Sequence, residues 1–174
     1  MQNTQQAENV AEKNIHINQS TDQYLTFMLA GEEYGLNILN VQEIKGWEGA
    51  TPIPNTPDHV LGVINLRGTV VPIIDLRNCF GLDKSDFGPT TVVIVVKTRT
   101  EDNSERVVGM VVDAVSEVYN LNEGAIENTP SMGTVVSTEY IKGLATVDDK
   151  MIILLNINHM IEVEVGKEIT QLPN

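Results

Sequence analysis

The stretch Gly62–Leu76, G-V-I-N-L-R-G-T-V-V-P-I-I-D-L, decides the reading of this chain. Two apolar runs, Val60–Leu66 and Val70–Leu76, flank Arg67-Gly68-Thr69. Apolar strands separated by a glycine-bearing polar step form a hairpin, with Gly68 accepting the positive φ of a tight turn. Pro72 has no amide hydrogen for a ladder, so its place is predicted at an edge or a bulge. Downstream, Asp75–Phe80 reads as one helical turn with Asp75 as N-cap and Gly81 as stop.

Outward from this hairpin the pattern stays β. Tyr24–Leu29 is a strand, and Ala30–Glu33 turns into Tyr34-Gly35-Leu36. Ile38, Val41 and Ile44 recur every third residue and predict a helical turn at 37–41, before a strand over Gln42–Trp47. Thr51–Pro57 carries Pro52, Pro54 and Pro57 and is an irregular loop. Thr91–Val96 is a buried strand, and Arg106–Val118 a long one bent at Gly109. Residues 120–133 are irregular. Glu139–Val147 and Lys150–Ile157 form a last hairpin across Asp148-Asp149, followed by a helical turn at 158–161. Many short strands predict an all-β fold of small barrels. The polar stretch Asp83–Pro89 suggests a boundary, with one barrel over about 22–86 and another over about 90–161, strand exchange between them being allowed. Residues 1–21 and 162–174 read as polar tails.

The chain has 174 residues, of which 41% are hydrophobic and 5% aromatic, so aliphatic side chains must build the core. Lys and Arg number 11 against 24 Asp and Glu, a net charge of −13. That field repels polyanions and argues against nucleic acid or anionic lipid as partner. The longest aliphatic runs, Val92–Val96 and Met151–Leu155, are far shorter than the roughly 20 residues that span a bilayer, so no direct membrane insertion is expected. Nor is there an apolar signal core before Thr21, and a cytoplasmic location is expected.

Catalytic and cofactor signatures are missing. There is no glycine-rich phosphate loop and no G-x-S-x-G elbow. His16, His59 and His159 form no metal-spaced pair and read as surface residues. Cys79, the one cysteine, reads as an inert buried thiol. Asp75 and Asp113 follow aliphatic runs as catalytic aspartates sometimes do, but capping or hairpin bonding explains them. No metal and no cofactor is expected.

Three segments carry a more specific signal. They are Tyr34–Ile44 (Y-G-L-N-I-L-N-V-Q-E-I), the hairpin Gly62–Leu76, and Val107–Val115 (V-V-G-M-V-V-D-A-V) with Tyr140–Leu144 downstream. In this order and spacing they resemble the bacterial chemotaxis coupling protein family, CheW, from about Tyr24 to Ile161. The resemblance implies two five-stranded SH3-like β-barrels packed together, with a few short helical turns. It implies a non-catalytic adaptor between the cytoplasmic tips of methyl-accepting chemoreceptors and the regulatory domain of the histidine kinase CheA, recruited to membrane receptor arrays. It places Val41, Glu43 and Arg67 at or near a receptor-binding face, with Ile44 and Leu66 as neighbouring apolar wall. Glu32 and Val92 fall toward a kinase-facing surface, and Met132, an apolar side chain on a loop between Pro130 and Gly133, is read as a docking knob for the same partner although its loop departs from the family pattern. A groove for a helical hairpin needs apolar walls and a few charges to set register, which suits Val41, Ile44, Glu43 and Arg67. The alternatives are a paralogue serving another receptor–kinase system, or a small barrel enzyme using Asp75 and Asp113.

Overall fold

Left-handed residues set the hairpins. The structure is a computed structural model, and it describes residues 21–129 and 138–165. β1 (Thr21–Leu29) turns through Ala30 and Gly31, with φ of 51° and 82°, into β2 (Glu32–Asn37). β4 (Val60–Leu66) and β5 (Thr69–Asp75) join through Arg67 at φ 51° and Gly68 at φ 86°. β10 (Ile141–Val147) and β11 (Lys150–Leu155) join through Asp148 at 49° and Asp149 at 63°. Two successive left-handed residues match the twist of the flanking strands. The other strands are β3 (Val41–Gly46), β6 (Val92–Arg99), β7 (Glu105–Val112), β8 (Ala114–Asn122) and β9 (Ile126–Glu127). Two α-helices, α1 (Leu76–Cys79) and α2 (Ile157–Val165), and three 3-10 turns complete the described chain. Neither α-helix is long and apolar enough to cross a membrane.

The class is all-β, as the strand pattern predicts. One sheet has six strands in the order β8-β1-β2-β11-β10-β9, and the other five in the order β3-β6-β7-β5-β4. Each sheet draws strands from both sides of the expected division near residues 86–90, the exchange that the sequence reading allows. β1 and β2 belong with β8 to β11, because β11 pairs parallel to β2 through Ile152↔Glu33, Ile153↔Tyr34 and Leu154↔Gly35. Closing such a long loop costs little more than closing a short one, about 0.6 kcal/mol per doubling of length. Buried area therefore outweighs proximity in sequence.

Other local expectations change for physical reasons. The strand read over Arg106–Val118 is two strands in different sheets, and the chain crosses between them at Asp113. β7 pairs with β6 in unbroken register through Gly109. A Cβ there would lie 2.4 Å from Ile73 Cδ1 and 2.8 Å from Val93 Cγ1, so the glycine admits neighbours from both adjoining strands. Pro72 sits in an interior strand, one residue before β5 begins pairing with β7 and beside a bulge in β4 between Val60 and Gly62. Residue 162 does not begin a tail, because α2 continues to Val165, which is buried. Met1–Ser20, and Met132 with its loop, lie outside the described residues.

The main core lies between the sheets. Leu25, Phe27, Tyr34 and Leu36 of the first meet Ile74, Ile94, Val96 and Met110 of the second, and α2 adds Ile157, Met160, Ile161 and Val165. β6 shows why its apolar run has no alternation. Ile94 and Val96 join this core while Val93 and Val95 join a smaller one with Leu66, Val71, Ile73 and Val111. A strand buried on both faces reads as a continuous hydrophobic run.

Candidate functional site

β3 and β4 are the two edges of the five-stranded sheet. The sheet curls until these edges face one another. Just past β3, Thr51 and Val63 exchange two main-chain hydrogen bonds, N to O in each direction at 2.9 Å. Gly62 makes this approach feasible, since a Cβ on it would stand 2.1 Å from the Thr51 carbonyl oxygen. An open groove of about 430 Å³ runs along the seam, with Lys45, Gly46, Ala50, Ile64, Asn65 and Val93 among its lining. At one end of β4, Arg67 Nη2 reaches Glu43 Oε2 across the edges at 3.0 Å. The Arg67 side chain remains 79% exposed and that of Glu43 only 21%. Asn65 Oδ1 accepts from Gly68 N at 2.8 Å and locks the turn that presents Arg67.

The five residues expected at a receptor-facing surface differ in burial. Val41 follows a 3-10 turn at Ile38–Asn40, whose start is capped by Asn37 Oδ1 accepting from Leu39 N at 2.9 Å. It is half-buried against the main core, so packing claims it. Leu66, expected as groove wall, is buried in the smaller core. Glu43, Ile44 and Arg67 remain available. Burial along β3 inverts the usual pattern, with Glu43 and Lys45 half-buried and Ile44 43% exposed. Inward charge guards an edge strand against pairing, whereas an outward isoleucine gains nothing for the monomer. Leu39 at 86% exposure and Val70 at 65% are further exposed apolar side chains. The sequence reading missed both, because a lone leucine or valine beside a turn carries no sign of which way it points.

The CheW-like domain model matches residues 23–165. The chain belongs to the CheW family. It is 44% identical over 142 residues to chemotaxis protein CheW of Klebsiella aerogenes, a match covering 82% of each chain. To the protein of the same name from Rhizobium meliloti it is 33% identical over 149 residues, 86% of this chain and 93% of that one. It is also similar to the crystal structure of the scaffolding protein TtCheW from Thermoanaerobacter tengcongensis, with TM-score 0.75, 37% identity, and coverage of 87% and 94% respectively.

Of the residues that the CheW resemblance assigned toward a kinase, Glu32 is exposed at the start of β2, on the six-stranded sheet. Val92 opens β6 on the other sheet, half-buried between Gly46 and Val112 and packed against the main core. The two therefore stand on different sheets.

The aspartates are accounted for structurally. Asp75 Oδ1 accepts from Arg77 N at 3.1 Å and caps α1, and burial raises its carboxyl above the usual range. Asp113 is paired with Arg77, whose hydrogen bonds hold its carboxyl below that range. Burial, with Glu164 and Asp75 nearby, pushes the Cys79 thiol upward, the opposite of what a nucleophile needs.

Proposed function

We propose that this chain is a non-catalytic chemotaxis adaptor, joining chemoreceptor cytoplasmic tips to the regulatory domain of the histidine kinase CheA. One observation carries the receptor half of the reading. Arg67 is held out on a left-handed turn at the β3–β4 seam and paired with Glu43, while Ile44 of β3, Val70 of β5 and Leu39 before β3 are exposed. An apolar strip with opposite charges at its rim suits one face of a helical hairpin. On binding, Arg67 and Glu43 exchange their mutual contact for partners on the receptor, which sets register more than affinity. Val41 and Leu66 act from behind, by holding the strand and the turn.

The kinase half rests on family membership and on the exposed β1–β2 turn carrying Glu32. Val92 contributes by fixing β6, and Met132 remains a candidate for the same surface. Two separate contacts of ordinary size, about 800 Å² per partner or less, are enough. Tethering in an array raises effective concentration, so weak contacts hold and still rearrange. The same scaffold would serve any receptor and kinase carrying matching surfaces.

Co-sedimentation with receptor-containing membranes, with and without purified kinase, tests the reading. The expected result is kinase recovered with the membranes only when this chain is present. Kinase recovery that does not depend on the chain would overturn it.

A further inference from the structure

Three side chains that the coupling role does not use converge beside α2. His59 precedes β4, Cys79 ends α1, and Glu164 lies in the last turn of α2. An imidazole nitrogen, the thiol sulfur and a carboxylate oxygen all lie within 4.8 Å of one another, and all three residues are half-buried. Glu164 is already oriented toward the cluster. Its Oε1 accepts from Tyr140 Oη, its main-chain oxygen is 2.9 Å from His59 Nε2, and its Oε2 faces that nitrogen at 3.8 Å. We propose that His59, Cys79 and Glu164 form a site for one zinc-class divalent cation, which ties the end of α2 to α1 and to the start of β4.

The donor set selects the ion. One nitrogen, one sulfur and one oxygen suit the borderline softness of Zn²⁺, and partial exposure leaves a fourth position for water. Ca²⁺ and Mg²⁺ need six or more oxygens in total and find too few here. Metal–ligand bonds of about 2.0–2.3 Å put tetrahedral donors roughly 3.5 Å apart, so donors that now lie within 4.8 Å of one another must close by at most about 1.3 Å. Charge closes as well. The thiol proton leaves to solvent, and thiolate and carboxylate together neutralise the dication. Nε2 exchanges its contact with the Glu164 carbonyl for the metal, and the ring proton resides on Nδ1. The bound ion would link segments distant in sequence, so its energy would add to folding energy. This site is independent of the adaptor reading and stands or falls separately.

Titration of the full chain with Co²⁺, in a non-chelating reductant, tests the proposal. A thiolate-to-cobalt charge-transfer band should saturate at one equivalent and disappear when Zn²⁺ is added. Cys79→Ser should abolish it. His59→Asn and Glu164→Gln should each weaken binding by more than about tenfold, since losing even an outer partner of a metal site costs that much. Zn²⁺ should raise the melting temperature of the native chain and raise that of the Glu164→Gln variant much less at the same concentration. Cobalt absorption without a thiolate band, or a band undiminished in Glu164→Gln, overturns the proposal. If Cys79→Ser fails to fold, alkylation of Cys79 in the native chain decides. Zn²⁺ should slow it, and an unchanged rate refutes the site.

Discussion

Arg77 grips Asp113 with two nitrogens, Nε to Oδ1 at 2.8 Å and Nη2 to Oδ2 at 2.6 Å, at the single residue between β7 and β8. Those strands belong to different sheets. Asp113 Oδ2 also accepts from Ala30 N at 2.9 Å, and Arg77 Nη1 donates to the Asp83 carbonyl at 2.9 Å. One ion pair thus ties α1, the first hairpin turn and the crossing between sheets. A planar guanidinium matches a carboxylate in this two-pronged way and a lysine does not.

Asp113→Asn should destabilise the fold by about 2 kcal/mol, as expected when a charge-assisted, partly buried pair is broken. It should also flatten the acid limb of the stability profile. The Arg77 hydrogen bonds hold the Asp113 carboxyl below its ordinary value, although burial opposes them. Such a group contributes fully above its unfolded pKa, about 3.9, and loses that contribution as pH falls through the folded value. Urea midpoints at neutral pH and at about pH 3 check this. The native chain should lose more between them than the variant, and parallel profiles would refute the assignment.

Arg67→Glu should leave circular dichroism unchanged and move stability by no more than about 1 kcal/mol, because an exposed ion pair contributes little. Receptor co-sedimentation should fall sharply. Glu43→Lys should behave likewise. Combining the two changes restores an opposite-charge pair with its sense reversed. Stability should then recover while receptor binding does not. Recovery of both would mean the pair serves only the fold.

The two glycines of the β4–β5 hairpin should differ in their tolerance of alanine. Gly68 has φ 86° but open space where a side-chain carbon would stand, so Gly68→Ala meets only backbone strain of about 1–2 kcal/mol. Gly62 has φ 139°, and a Cβ there would lie 2.1 Å from the Thr51 carbonyl oxygen. Gly62→Ala must therefore open the Thr51–Val63 bridge, and it should lower the melting temperature far more. Equal shifts would show that the seam is not tight.

Leu39→Ser and Val70→Ser should change stability by less than about 0.5 kcal/mol, since both side chains are exposed and leave no cavity. If they border the receptor strip, each should still weaken co-sedimentation with receptor membranes. Binding at the native level by the double variant would confine the strip to Ile44 and Arg67.

Features governed by neighbours in the chain were legible in the sequence. The turns at Arg67-Gly68 and Asp148-Asp149, the Asp75 cap and the buried run of β6 follow from φ preference, side-chain reach and hydrophobic pattern. Those forces act over a few residues, so the residue types there determined all-β hairpins and the absence of a membrane-spanning run. Family motifs further marked Glu43 and Arg67 without showing why they belong together. Only tertiary structure decided that β2 pairs with β11, that Asp113 separates two sheets, that Leu66 is buried while Ile44 is not, and that His59, Cys79 and Glu164 meet. Each outcome depends on long loops closing and on which face of a strand finds a core. Distant segments compete for that burial, and local pattern does not record which of them wins.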